Sequence, residues 1–229
     1  MKILAIDTSS SNCSIAILEN QKIIGNFNIN IGKTHSETLL PLVDELLKLI
    51  DVDLNEIDAF ACCVGPGSFT GIRIGIATIK GLAISLNKPV VSVTSLESLC
   101  FNVPHFNGIV CSILNANNNN VYSAFYSSNN SIEMIGDYHT DSIDELIKEA
   151  KNFKENIMFV GDGATFYHDT IKDALQDKAF FVPSHFNDQS AVSVAMVAIE
   201  KLNKNIVDSA YTVEPVYLRK SQAERLSQN

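Results

Sequence analysis

The sequence predicts an α/β fold of two related lobes, each a mixed sheet with covering helices. Three observations carry this. Each half opens on an apolar hairpin: KILAID (2–7) with CSIAILE (13–19) in the first, and GIVCSIL (108–114) with VYSAFYS (121–127) in the second. Each half then alternates strand-like and helix-like segments, the pattern of a sheet covered by helices. Turn formers at Pro104 and Asn107-Gly108 mark a junction. Residues 1–103 are therefore expected as the first lobe and 104–229 as the second, with a tail that can return to the first.

In the first lobe, Lys22 to Ile31 reads as a third strand of the opening meander. Thr34 and Glu37 fit a capping box, so a helix is expected from there to Ile50, its apolar face built from Leu39, Leu42, Val43, Leu46 and Leu47. Pro41 is expected to kink or restart it. Ile57 to Val64 reads as a buried strand and Phe69 to Leu86 as a helix, with a strand at 89–93. In the second lobe, Asn115 to Asn120 reads as a hairpin tip, Ser142 to Ala150 as a helix, Ile157 to Val160 as a strand and Gln189 to Leu202 as a helix. The tail from Val213 to Leu226 is expected to begin extended and end helical.

Composition narrows the function. Of 229 residues, 46% are hydrophobic and 19% charged, which suits a well-buried core and excludes disorder. The net charge of −9 excludes a whole-surface grip on nucleic acid. The opening apolar run stops at Asp7, too short for an export signal. No uninterrupted apolar run reaches the roughly 18 residues of a membrane span. Five cysteines form no CxxC pair and are odd in number, as expected of reduced, buried thiols in a cytoplasmic protein.

Four places invite a chemical reading. Asp7 and Thr8 open a hydroxyl-rich tip, DTSSS, which can orient a metal-bound water near phosphate; the ordinary alternative is a tight turn satisfying its own backbone, and the tip lacks glycine. Gly65-Pro66-Gly67-Ser68 resembles a phosphate loop, but no Gly-Lys-Ser/Thr follows, so Ser68 is expected to cap the helix. Gly161-Asp162-Gly163 after a strand is either an adenosine contact or a strand-to-helix turn. Asp7, Thr8, Gly161 and Gly163 are thus the candidates for a vestigial nucleotide site. The five histidines stand alone, with no HExxH or HxxxH pair, so no metal site is expected.

The fourth place is the helix after the loop. Its three glycines, Gly71, Gly75 and Gly81, each cost about 1 kcal/mol against alanine. Gly71 and Gly75 stand four apart, as do Ala77, Gly81 and Ser85, which makes flat stripes for a close helix approach. Arg73 and Lys80 oppose a membrane setting. The helix is apolar nearly all round, so it is expected to bury more than one side, one of them against another subunit.

The segments ILAIDTSS, HSETLLP, GPGSFTGIRIG…KGLA and EPVYLR together resemble the signature segments of the bacterial TsaB family of tRNA threonylcarbamoyladenosine biosynthesis proteins. They run from Ile3 to Arg219. The resemblance implies the two-lobed fold shared by actin, heat-shock ATPases and sugar kinases, and kinship with TsaD, the threonylcarbamoyl transferase. The transferase carries a His-x-x-x-His metal motif where this sequence reads Ser95-Leu96-Glu97-Ser98-Leu99. Serine and leucine do not replace two imidazoles. A further departure is Asn115-Ala116-Asn117, where the family commonly has Asp-Ala-Arg.

The resemblance implies a non-catalytic subunit without a cofactor, ATP or ADP at a shared site being the exception to test. It would bind and stabilise a TsaD-like transferase through a helical bundle. The expected interface residues are His35, Leu39, Leu42, Gly71, Ile72, Gly75, Ile79 and Leu82. Further implied partners are a TsaE-like ATPase and, in isolation, a second copy as a homodimer; tRNA contact would be indirect. The alternatives are an actin-class enzyme hydrolysing nucleotide through Asp7 and Gly161-Asp162-Gly163, or a peptidase.

Overall fold

In the computed structural model, which describes residues 1–103, 105–129 and 131–218, the opening meander forms as expected. Strands β1 (Lys2–Asp7), β2 (Cys13–Glu19) and β3 (Lys22–Ile29) pair antiparallel, β3 stopping two residues short of expectation. Helix α1 (His35–Leu49) follows, then β4 (Ala59–Cys63), α2 (Phe69–Leu86), β5 (Val90–Val93) and α3 (Ser95–Cys100). The sheet order is β3-β2-β1-β4-β5, with β1, β4 and β5 parallel.

Two details of α1 depart from the sequence reading. Pro41 does not restart it; the helix runs through fifteen residues with the proline inside. The capping box is replaced by a side-chain pair: Thr34 Oγ1 donates to Glu37 Oε2 at 2.6 Å and accepts no helix amide. That hydrogen bond holds the Glu37 carboxyl below its usual range.

The second sheet repeats the first in topology. Its strands are β6 (Ile109–Asn115), β7 (Asn120–Ser127), β8 (Glu133–Ser142), β9 (Ile157–Val160) and β10 (Ala179–Phe181), in the order β10-β9-β6-β7-β8. Again a meander pairs antiparallel and the remaining strands run parallel. Helices α4 (Ile143–Ala150), α5 (Asp162–Phe166) and α6 (His168–Leu175) cover it, Ser142 capping α4. At the β6–β7 tip, Asn117, Asn118 and Asn119 all adopt left-handed backbone, which asparagine tolerates better than most residues. The short asparagine run is therefore a turn, as expected.

The chain divides into two units: Met1–Ser98 with Gln189–Val216, and the described residues from Leu99 to Asp188 with Tyr217 and Leu218. This differs from the expected boundary in one element. Helix α7 (Ala191–Asn203), which the sequence assigns to the second lobe, packs on β1 and β2 of the first. Alternation explains it. Leu4, Ile6, Ile15 and Ile17 face the core shared with α1 and α2, while Ser14 points the other way. Ser14 Oγ accepts the amide of Ala191 at 2.9 Å, so α7 lies on that opposite face. All five cysteines are buried and unpaired, and burial pushes the Cys62 thiol up to about 12. Pro104, the basic tail residues Arg219, Lys220 and Arg225, and the helix expected at the tail's end lie outside the described residues.

By length and composition, α2 alone among the described helices could cross a membrane. Its packing is that of a core helix: Gly71, Ile72, Gly75, Ile76, Ile79 and Ala83 are buried within the first unit, and Arg73 and Lys80 interrupt its surface.

Candidate functional site

The loop before α2 is committed to its own chain. Ser68 Oγ accepts the amide of Gly71 at 3.2 Å, the cap expected from the sequence. The Ser68 amide donates to Ser9 O at 2.7 Å, so it is not open to an anion. Gly65, at φ +101°, takes a backbone that side chains rarely adopt.

The glycine stripe resolves in two parts. Thr8 Oγ1 donates to Gly71 O at 2.8 Å. A β-carbon on Gly71 would overlap Thr8 O, and one on Gly75 would overlap Thr8 Oγ1. Gly71 and Gly75 therefore admit the hairpin tip of their own chain, and the expectation that they face a partner is corrected. Gly81 is different: nothing lies within 4 Å of the position its side chain would take. With Ala77 and Ser85 it forms an exposed ridge at four-residue spacing, extended by exposed Arg73 and Ile84.

The other expected interface residues are placed as follows. Leu39, Ile72 and Ile79 are core residues at 1% exposure or less. Leu42 and Leu82 are half-buried against that core. His35 is half-buried, with Nε2 2.8 Å from Ser10 O and Nδ1 buried without a partner. The surface instead keeps the Ala77, Gly81 and Ser85 stripe that the sequence singled out and adds Leu40 and Ile84, which the sequence reading passed over. The missed signal was the spacing Ile72-Ile76-Ile79-Ala83, a one-sided core stripe that leaves residues 77, 81, 84 and 85 on the far side. Between α1 and the loop after it lies a groove of about 520 Å³, floored by Val43, Leu47, Leu54 and Leu82 and rimmed by Asp44, Asp51 and Asp53.

Asp7 is buried; its Oδ1 accepts the Ser9 amide at 2.9 Å and the Ser9 hydroxyl at 2.7 Å. Its Oδ2 is buried with no hydrogen-bond partner. Burial raises the Asp7 pKa, and the Ser9 bonds and the nearby Cys63 thiol only partly offset that. In the second unit, a β-carbon on Gly161 would overlap Ile113 O, and one on Gly163 would come within 2.8 Å of Ile113 Cγ1. Gly161 N donates to Asn187 Oδ1, and Asp162 Oδ1 accepts the Asn115 amide. These glycines admit a neighbouring strand, and the turn's polar groups are used internally. The Gly161–Gly163 turn is thus taken up within its own chain, while Asp7 Oδ2 at the first-unit tip stays unpartnered.

Residues 95 and 99, where the resemblance implied the lost metal ligands, are structural. Ser95 Oγ donates to Pro66 O at 2.6 Å and lies 3.1 Å from Cys63 Sγ, and Leu99 is fully buried. Among the described residues, no group of three or more His, Cys, Asp or Glu is placed to hold a metal ion.

Comparison with known proteins accords with this geometry. The family model for TsaD, tRNA N6-adenosine threonylcarbamoyltransferase, matches residues 22–226. The tRNA threonylcarbamoyladenosine biosynthesis protein TsaB of Bacillus subtilis (strain 168) is 31% identical over 228 residues, covering 98% of this chain and 96% of its own length. Among solved structures, YeaZ from Pseudomonas aeruginosa is similar with a TM-score of 0.81 at 26% identity, covering 95% of this chain and 99% of that one. The ROK hexokinase from Thermus thermophilus, at a TM-score of 0.53 and 9% identity over 89% of this chain and 100% of its own, shares the fold alone. The fold is thus the one common to the actin-like proteins and sugar kinases, and the chain belongs to the TsaB family of tRNA threonylcarbamoyladenosine biosynthesis proteins.

Proposed function

We propose that the chain serves tRNA threonylcarbamoyladenosine biosynthesis as a non-catalytic subunit that binds and stabilises a TsaD-like transferase. The observation that carries this is the open ridge of Ala77, Gly81 and Ser85 on α2. Small residues at four-residue spacing let a second helix come close, and apolar Ile84 and Leu40 supply area to bury around that contact. The contact is a helical bundle between α1 and α2 and the corresponding helices of the transferase. Without it, a second copy covers the same face as a homodimer. A TsaE-like ATPase joins the larger assembly, and tRNA is reached through the partners, in keeping with a charge of −9. The chain works in the cytoplasm and uses no cofactor of its own. The internally used polar groups around Gly161 favour this over nucleotide hydrolysis, and the serine and leucine at 95 and 99 favour it over a peptidase.

Titration calorimetry with the transferase-like protein of the same organism tests the reading. Binding is expected for the unaltered chain and lost in Ala77→Arg. Equal binding by both would remove α2 from the contact.

A further inference from the structure

The four sheet edges differ in how they are closed. At β5, Val90 and Asp208 exchange backbone hydrogen bonds of 3.1 and 2.8 Å. β10 is only three residues long. β8 carries Glu133, Asp137 and Asp141, and its register with β7 is broken. Short length, charge and irregularity are the usual protections of an exposed edge. β3 has little of them. It is eight residues long, and from Ile23 to Ile31 the chain holds no charge and no proline. A register irregularity against β2 falls at its start, leaving Gly25 to Ile29 regular. Ile23 and Ile31 are 48% and 60% exposed. Among the described residues, no hydrogen bond beyond the pairing with β2 reaches its backbone.

The strand is also self-complementary. Within β3, exposed Asn26 and Asn28 alternate with Phe27 and Ile29; Asn30 and Ile31 continue the alternation past the strand's end, where Asn30 Nδ2 also donates to Ser11 Oγ at 3.2 Å. An antiparallel pairing of two copies centred on Asn28 sets Asn28 opposite its own counterpart, Asn26 opposite Asn30, and Phe27 opposite Ile29. Over residues 26–30 each amide then meets an amide and each apolar side chain an apolar one, while Ile31 falls opposite Gly25 and Ile23 opposite Lys33. Lys22 and Lys33 face no like charge. Matched pairs of this kind stabilise a ladder, and like charges set opposite each other weaken it.

We propose that β3 pairs edge to edge with β3 of a second copy in this register, making one continuous sheet. The contact is separate from the α1–α2 face and leaves that face free for a transferase. It stands whether or not the helical reading holds.

The test is cross-linking of Asn28→Cys in an Ala77→Arg background, which removes any helical dimer. The native cysteines are buried, so the introduced thiol is the reactive one. Mild oxidation is expected to give a disulfide-linked dimer, with only background from Asp169→Cys, whose side chain is 98% exposed. Adding Asn26→Lys with Asn30→Lys sets like charges opposite each other and is expected to abolish the cross-link. Asn26→Lys with Asn30→Glu sets opposite charges together and is expected to restore it. Cross-linking no greater than the Asp169→Cys control, or no difference between the two charge pairs, would overturn the proposal.

Discussion

The hydroxyl of Thr8 occupies the space that a β-carbon on Gly75 would need, and it donates to Gly71 O at 2.8 Å one turn earlier. The two glycines of the signature loop-helix are thereby explained by their own chain. Gly81, six residues beyond Gly75, has open space beside it, and the proposed function assigns the partner-facing role there.

This separates the three glycines by stability. Gly71→Ala puts a methyl into backbone, and we expect a loss of about 1–3 kcal/mol, the usual range for overpacking. Gly81→Ala meets nothing within 4 Å and removes a flexible helix residue, so a gain of about 0.5–1 kcal/mol is expected. Urea unfolding of the two variants checks both; equal effects would contradict the assignment.

Asp7 contributes a pH dependence of definite sign. Burial raises its folded-state pKa above the ordinary value, so the folded chain binds a proton more tightly than the unfolded one. That favours folding below the ordinary value of 3.8 and is lost as pH rises through the raised folded pKa. Once ionised, the carboxylate is a burden, because its buried Oδ2 has no partner. Asp7→Asn is therefore expected to raise stability at pH 7 by about 1–2 kcal/mol, comparable to relieving an unsatisfied buried group. The advantage should shrink as the pH falls toward 4, read from thermal unfolding across that range.

Ser14 tests the placement of α7. Its hydroxyl takes the Ala191 amide in a buried setting. Ser14→Ala leaves that amide unpaired, and a loss of about 1–3 kcal/mol is expected. Hydrogen exchange should show faster exchange at the start of α7, with β6 and β7 unaffected.

Much of the fold was legible in the sequence. The hairpins, the extent of α2, the Ser68 cap and the repeated topology follow from local pattern. What was not legible depends on contacts far apart in the chain. Glycine spacing announces a close approach but not the neighbour, so Gly71 and Gly75 could not be told from Gly81 until Thr8 was placed. Helix α7 reads as a helix wherever it lies; its sheet is fixed by distant contacts, among them Ser14, 177 residues away, and Lys201 Nζ on Ser92 O. β8 escaped notice because its Asp, His and Gly positions carry no alternation.

The most direct measurement is light-scattering mass during size exclusion, on the chain alone and mixed with its own organism's TsaD-like protein, for the native sequence and Ala77→Arg. A heterocomplex that forms with the native chain and fails with the folded variant is the predicted result. A chain whose mass is unchanged by the transferase-like protein would contradict the central claim.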